Sequence, residues 1–208
     1  MRVEGGGQRS RPLPPPSNSF PRPLNIGSPG PQAKGPGKKS LSPWREMKQT
    51  SLNPFPQGRI VAVSVSDRKG VVKHNVAQAV LQVDHGLAGD AHAEGGCRQV
   101  SLLSKESIDK MVALGAAVSP GDFAENLTVD GLAVMTLPVG TLLKVGPEAM
   151  LEITQIGKAC HKGCAIREQV GDCVMPREGV FARVLKGGMV QPGDNVEVVH
   201  VPGGDSHR

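Results

Sequence analysis

Arg59-Ile60-Val61-Ala62-Val63-Ser64-Val65-Ser66 is the stretch whose reading decides the fold. It is rich in β-branched residues, lacks Gly and Pro, and reads as a strand. Comparable short runs follow at residues 78–83, 98–103, 126–129, 141–145, 151–156 and 195–201. Glycine-punctuated or proline-containing turns separate them, among them Pro120-Gly121-Asp122, Pro138-Val139-Gly140 and Gln191-Pro192-Gly193-Asp194. Helical signals are fewer. Ser104 sits where an N-cap would, Glu106 falls in the favourable first turn, and Ile108, Met111 and Val112 form an i, i+3, i+4 stripe that Gly115 stops. A second helix is expected to start at Pro176, to bury Val180, Phe181, Val184 and Leu185, and to end at Gly187-Gly188. Many short strands with two helices predict a mainly β fold, a β-barrel with helical decoration.

Composition agrees. Hydrophobic residues make up 38% of the 208, enough for a core, but there are only four Phe, one Trp and no Tyr. The core must therefore be built from Val, Leu, Ile, Ala and Met.

The formal net charge of +5 is unevenly placed. Residues 1–58 carry nine Lys/Arg and two Asp/Glu, a net +7, whereas residues 59–208 carry fifteen and seventeen, a net −2. The basic character belongs to the first segment, which also holds twelve of the eighteen prolines. Such a composition cannot build a ladder or a helix. Residues 1–57 are expected to be a disordered basic tail, 58–200 the barrel, and 201–208 a flexible end. A basic tail without aromatic stacking platforms argues against a nucleic-acid partner. No run approaches the roughly 18 apolar residues of a membrane span. The expected location is the cytoplasm, with organelle import through the Arg/Ser-rich tail as the alternative.

The chemistry-bearing stretch is Cys160-His161-Lys162-Gly163-Cys164, with Cys173 beyond it. It directly follows the strand-like run ending at Ile156. Lys158, His161 and Lys162 surround Cys160, and positive charge lowers a thiol pKa, so Cys160 is the leading functional thiolate. A thiolate can hold a soft metal, carry sulfur or attack an electrophile. Zinc is the alternative, with Cys160, Cys164, Cys173 and His161 supplying the right ligand types at an unusual spacing. Inert burial suits Cys97 and Cys173. Two further segments qualify as site loops: Gly89-Asp90-Ala91-His92 followed by Arg98, and Gly121-Asp122-Phe123-Ala124-Glu125-Asn126, where Asn126 offers both a donor and an acceptor.

Taken in order, these segments, together with Arg98-Gln99-Val100-Ser101-Leu102, Leu137-Pro138-Val139-Gly140, Ile153-Thr154-Gln155 and Val190-Gln191-Pro192-Gly193-Asp194, resemble the MOSC family, named for the C-terminal domain of molybdenum cofactor sulfurase. The small stand-alone type is the nearest in character. The resemblance implies a barrel like the small barrel domain of pyruvate kinase. It also implies a role with the molybdenum cofactor (molybdopterin), as a sulfur transferase or as a component of a molybdenum-dependent oxidoreductase. Cys160 would hold the metal or sulfur, with Cys164 as the other candidate, and Asn126, Asp90, His92 and Arg98 would lie at the cofactor. A cysteine desulfurase or a molybdoenzyme is the implied partner. Relatives that reduce N-hydroxylated compounds carry an Arg where this chain has Ala124. The resemblance places pyridoxal phosphate in a desulfurase domain fused to some members of the family, not in this domain. The reading outside this family is a zinc-stabilised or scaffolding barrel that binds a protein partner.

Overall fold

The computed structural model describes residues 55–159 and 165–203, so Cys160, His161 and Cys164 lie outside the described residues, as does most of the basic segment. Eleven strands and three short helices follow in order: β1 (Gln57–Val65), β2 (His74–Val76), β3 (Ala79–Gln82), β4 (Gly86–Leu87), β5 (Val100–Ser104), α1 (Lys105–Ala113), β6 (Leu127–Asp130), β7 (Leu142–Val145), β8 (Ala149–Ile156), α2 (Ala165–Val170), α3 (Met175–Glu178), β9 (Val180–Lys186), β10 (Gly188–Val190) and β11 (Asn195–His200). A 3-10 turn at Val134–Thr136 precedes β7.

Seven strands form a closed ring in the order β1-β11-β7-β8-β9-β5-β6, and β6 returns to β1. Closure leaves these strands no free edge to mispair. Every pairing in the ring is antiparallel except β5 with β6, whose parallel register requires the crossover that α1 supplies. The expected β-barrel is thus the observed fold. A separate three-stranded sheet, β10-β3-β4, lies beside it, and β2 adds to β1.

Alternation along the strands divides the apolar residues between two cores. Val100 and Leu102 of β5 and Val180, Ala182 and Val184 of β9 belong to the barrel interior, with Leu127, Leu143, Leu151 and Ile153. Leu103 and Phe181 point the other way, into a second cluster with Ile108 and Met111 of α1, Phe123, Ile166 and Met175. Within β1 the register against β6 slips between Ile60 and Ala62. The resulting bulge resets the alternation, so Ile60, Val63 and Val65 all line the interior. Ser64 and Ser66 are then buried on the outside.

The second expected helix is corrected. Residues 176–178 do lie in a short helix, α3, with Pro near its start, but Val180–Lys186 is the strand β9. The apolar residues that mimic a helical face do so because both faces of β9 are covered: Val180 and Val184 pack into the barrel, and Phe181 packs under the helices. Leu185 is 41% exposed. In α1, Ile108 and Met111 are buried as expected, whereas Val112 is exposed. The Ser104 hydroxyl makes no cap bond; it donates to Leu132 O and accepts from Val134 N, tying the 3-10 turn to β5. Cys173 is buried, but Cys97 is exposed, because it follows the Gly95-Gly96 turn instead of entering a strand. Among the described residues no helix is long and apolar enough to cross a membrane.

Candidate functional site

The outward face of β5 and β9 is not wholly covered by the helices. Ser101 and Phe181 open there onto a cleft of about 210 Å³ that Lys73, His92, Arg98, Ala124, Asn126 and Lys158 help to line. Sequence segments far apart converge on it. His92 and Arg98 come from the loop between β4 and β5, Ala124 and Asn126 from the entry to β6, and Lys158 from the chain just past β8.

Asp90 is the buried hub beneath this cleft. Its Oδ2 accepts from Lys73 Nζ at 2.5 Å and from Asn126 Nδ2 at 2.9 Å, and its Oδ1 accepts from Ser66 N at 3.0 Å. Burial alone would raise the Asp90 carboxyl. The hydrogen bonds from Asn126 and Lys73, the Lys73 charge and the Ser66 N–H outweigh it and hold the group below the usual carboxylate range. Burial pulls the Lys73 ammonium below the ordinary lysine range, against the opposing pull of Asp90.

Asn126 is positioned from both sides. Its Nδ2 also donates to Ser64 O at 3.1 Å, and its Oδ1 accepts from Ser101 N at 3.0 Å and from Ser101 Oγ at 2.9 Å. All four hydrogen-bonding positions of the amide are thus used inside the protein. Ala124, two residues earlier, adopts φ 61°, a left-handed turn that brings Asn126 to the entry of β6, facing Ser101. Next to it, Glu125 is fully buried. Its Oε1 accepts from Gly121 N at 2.7 Å and Thr128 Oγ1 at 2.8 Å, and its Oε2 has no partner among the described residues. Burial pushes the Glu125 carboxyl up.

His92 lies with Nδ1 3.7 Å from Asp90 Oδ1, within ion-pair range but longer than a hydrogen bond. Burial and the Lys73 charge keep the imidazole below its ordinary value despite Asp90. Arg98 is held at the rim: Nε donates to Gln155 Oε1 at 2.8 Å, and the guanidinium stands 5.3 Å over the Phe181 ring. The Thr154 hydroxyl lies between the Cys97 and Phe181 carbonyls beside it, with one proton to donate to either. Within the motif 153–155, Gln155 is the residue that fixes Arg98.

Asp90, His92, Arg98 and Asn126, chosen from sequence alone, fall around one cleft. Cys160 follows the cleft-lining Lys158 by two positions in the chain. Lys73 was not singled out by the sequence. It follows Val71 and Val72, which are exposed while the lysine is buried, the reverse of what side-chain polarity predicts. What fixes it is backbone: Lys73 N donates to Gly121 O at 3.0 Å, and a Cβ on Gly121 would stand 2.5 Å from Lys73 O. Among the described residues no three His, Cys, Asp or Glu side chains are grouped to hold a metal ion.

The chain is similar to known proteins. The YflK protein of Bacillus subtilis (strain 168) is 27% identical over 148 residues, 62% of this chain and 63% of that protein, so the match spans less than two thirds of that relative. Among solved structures, the YuaD protein from Bacillus subtilis superposes with a TM-score of 0.58 at 19% identity, covering 68% of this chain and 95% of the other. YiiM from Geobacillus stearothermophilus gives 0.54 at 23% identity, covering 69% and 75%. At these identities the two structures speak for the shared fold. The sequence model of the MOSC domain matches residues 89–197, from the glycine that opens the Asp90 loop to the strand that closes the ring. With more than half of its length matched, the chain belongs to the MOSC domain family.

Proposed function

We propose that the cleft binds the anionic end of the molybdenum cofactor, and that a thiolate at Cys160 or Cys164 holds the metal or carries sulfur destined for it. The family is associated with molybdenum-cofactor-sulfurase-like proteins. The observation that carries the reading is the charge of the cleft. Residues 59–208 are net acidic, yet with Lys73 paired to the buried Asp90 and Glu94 paired to Lys69 at 2.9 Å, Arg98 and Lys158 line the cleft without a carboxylate partner among the described residues. A cationic cleft in an acidic domain selects an anion.

The donor set fits one end of such a cofactor. A cleft of about 210 Å³ is below the roughly 300–1,000 Å³ that encloses a whole drug-sized ligand. It therefore suits a phosphate-bearing end, with Arg98 offering a planar fork and Lys158 a point charge. Cys160 and Cys164 supply the soft donor type that molybdenum and sulfur require. When bound, the cofactor supplies metal-centred redox or sulfur-exchange chemistry. The chain's own residues bind and orient it: Asp90 holds Lys73 at the floor, Asn126 and Ser66 hold Asp90, and Gln155 aims Arg98.

Protein purified from a cofactor-competent host is expected to carry molybdenum and releasable pterin above the level found in a Cys160→Ser, Cys164→Ser double variant. Equal levels in the two proteins would remove the reading. Mass spectrometry after incubation with a cysteine desulfurase and cysteine separates the two thiol roles, since only a carrier gains a sulfur atom. Stoichiometric zinc, with unfolding on chelation, would replace both with a scaffolding barrel.

A further inference from the structure

Lys73 is more deeply buried than any other described cation of the cleft, and its hydrogen bonding is incomplete among the described residues. Its side chain is 1% exposed, and Asp90 Oδ2 is its acceptor at 2.5 Å. An ammonium has three N–H donors, and no second acceptor reaches Nζ among the described residues. Asp90, by contrast, is fully served, with Asn126 and Ser66 donating alongside Lys73. The pair is lopsided: a satisfied carboxylate beneath a lysine with open donors at the floor of a cleft. A charged group is not kept buried half-paired without cost.

The charges around it point to what completes it. Lys73 is neutralised by Asp90 and Glu94 by Lys69. Arg98 and Lys158 then remain without a carboxylate partner among the described residues, so the cleft presents two uncompensated positive charges. We infer that Lys73 is the anchor of a tetrahedral dianion, a phosphate monoester, whose oxygens take the open Nζ donors from below while Arg98 and Lys158 close on it from the rim. This rests on the anion-binding reading above and deepens it: the anchor is the buried lysine, and the exposed cations are guides. The competing role for Lys73 is that of counter-ion to Asp90 and nothing more.

The two roles separate in a variant that removes both charges. Lys73→Met alone strands Asp90 and risks unfolding, so the test uses Lys73→Met combined with Asp90→Asn, a neutral pair of similar volume. Inorganic phosphate is titrated into the full chain by calorimetry at constant ionic strength set with chloride. A second measurement on the unsubstituted chain, labelled with 15N at lysine Nζ, follows the Lys73 resonance during the same titration. Expected are phosphate binding by the unsubstituted chain, a loss of about tenfold or more in the double variant, and a Lys73 shift that saturates with the calorimetric Kd. A loss smaller than that, or a Lys73 resonance that phosphate leaves unmoved, overturns the anchor role and leaves the anion-binding reading standing. No phosphate binding by the unsubstituted chain overturns both.

Discussion

Asn126 Nδ2 lies 2.9 Å from Asp90 Oδ2, joining the entry of β6 to the β4–β5 loop through a single side-chain hydrogen bond. Asn126→Asp replaces that donor with a second carboxylate facing the first. One of the two carboxyls must then bind a proton well above its ordinary range. A group raised in the folded state stabilises at low pH and loses that contribution as pH rises through its folded value. The variant is expected to be about 3 kcal/mol less stable than the parent at pH 8 and to recover part of that at pH 5. Urea denaturation at the two pH values checks this.

Asp90→Asn strands the Lys73 ammonium in the interior. The expected loss is about 3–5 kcal/mol at pH 7, most of it regained when Lys73→Met is added. The parent chain has the corresponding acid limb. The Asp90 carboxyl is held low in the fold, so its contribution is complete above the unfolded carboxylate range and is lost as pH falls through the folded value. That component should vanish from the acid-unfolding curve of the double variant.

Glu125 gives the opposite sign. Burial raises its carboxyl, so the fold prefers it protonated, and its contribution is lost as pH climbs from the ordinary glutamate range through the raised value. Glu125→Gln keeps an acceptor for Gly121 N and Thr128 Oγ1 and removes the charge. Its Tm relative to the parent should rise between pH 5 and pH 8, by a few degrees, on the order of 1 kcal/mol in a domain of this size.

Gly157 and Gly171 test the approach to the cysteine segment. Both adopt positive φ, at 69° and 76°. A Cβ at Gly157 would stand 2.3 Å from the Pro176 carbonyl oxygen, whereas one at Gly171 meets nothing within 4 Å. Gly171→Ala should cost about 1 kcal/mol, the left-handed penalty alone. Gly157→Ala should cost about 3 kcal/mol, because backbone strain and a backbone clash combine. It should also weaken phosphate binding by shifting Lys158, an effect Gly171→Ala should not share.

Removal of residues 1–54 should leave Tm within about 2 °C, in the range of surface changes. The cut must spare Phe55, which packs on the barrel core, and Pro56, whose carbonyl accepts from Val198 N. The truncated chain should behave as slightly acidic in ion exchange, near −2 instead of +5.

Six of the seven ring strands were legible because Val and Ile runs between glycine turns say little else. Val180–Lys186 was not, because a strand covered on both faces loses its period-two signature and leaves apolar spacings that a helix could also use. At the cleft, Asp90, His92, Arg98 and Asn126 were legible as polar residues beside glycine or turn residues, where burial in a core is not needed. Lys73 was hidden because its placement comes from a backbone contact with Gly121, forty-eight residues away, which no local pattern encodes. Ser64 and Ser66 were hidden by the bulge at Val61, since strict alternation from Ile60 would have put both serines in the interior.

The seam between β1 and β11 has a consequence for how this barrel can be handled. Gln57, which opens the first strand, pairs with Glu197, three residues before the last strand ends. Entry to and exit from the barrel therefore sit side by side. A short linker across that seam, with new ends cut at the exposed turn around Gly193, should yield a circular permutant with the same ring. By the same geometry the barrel can be spliced into a surface loop of a host protein as a cassette, without stretching either connection.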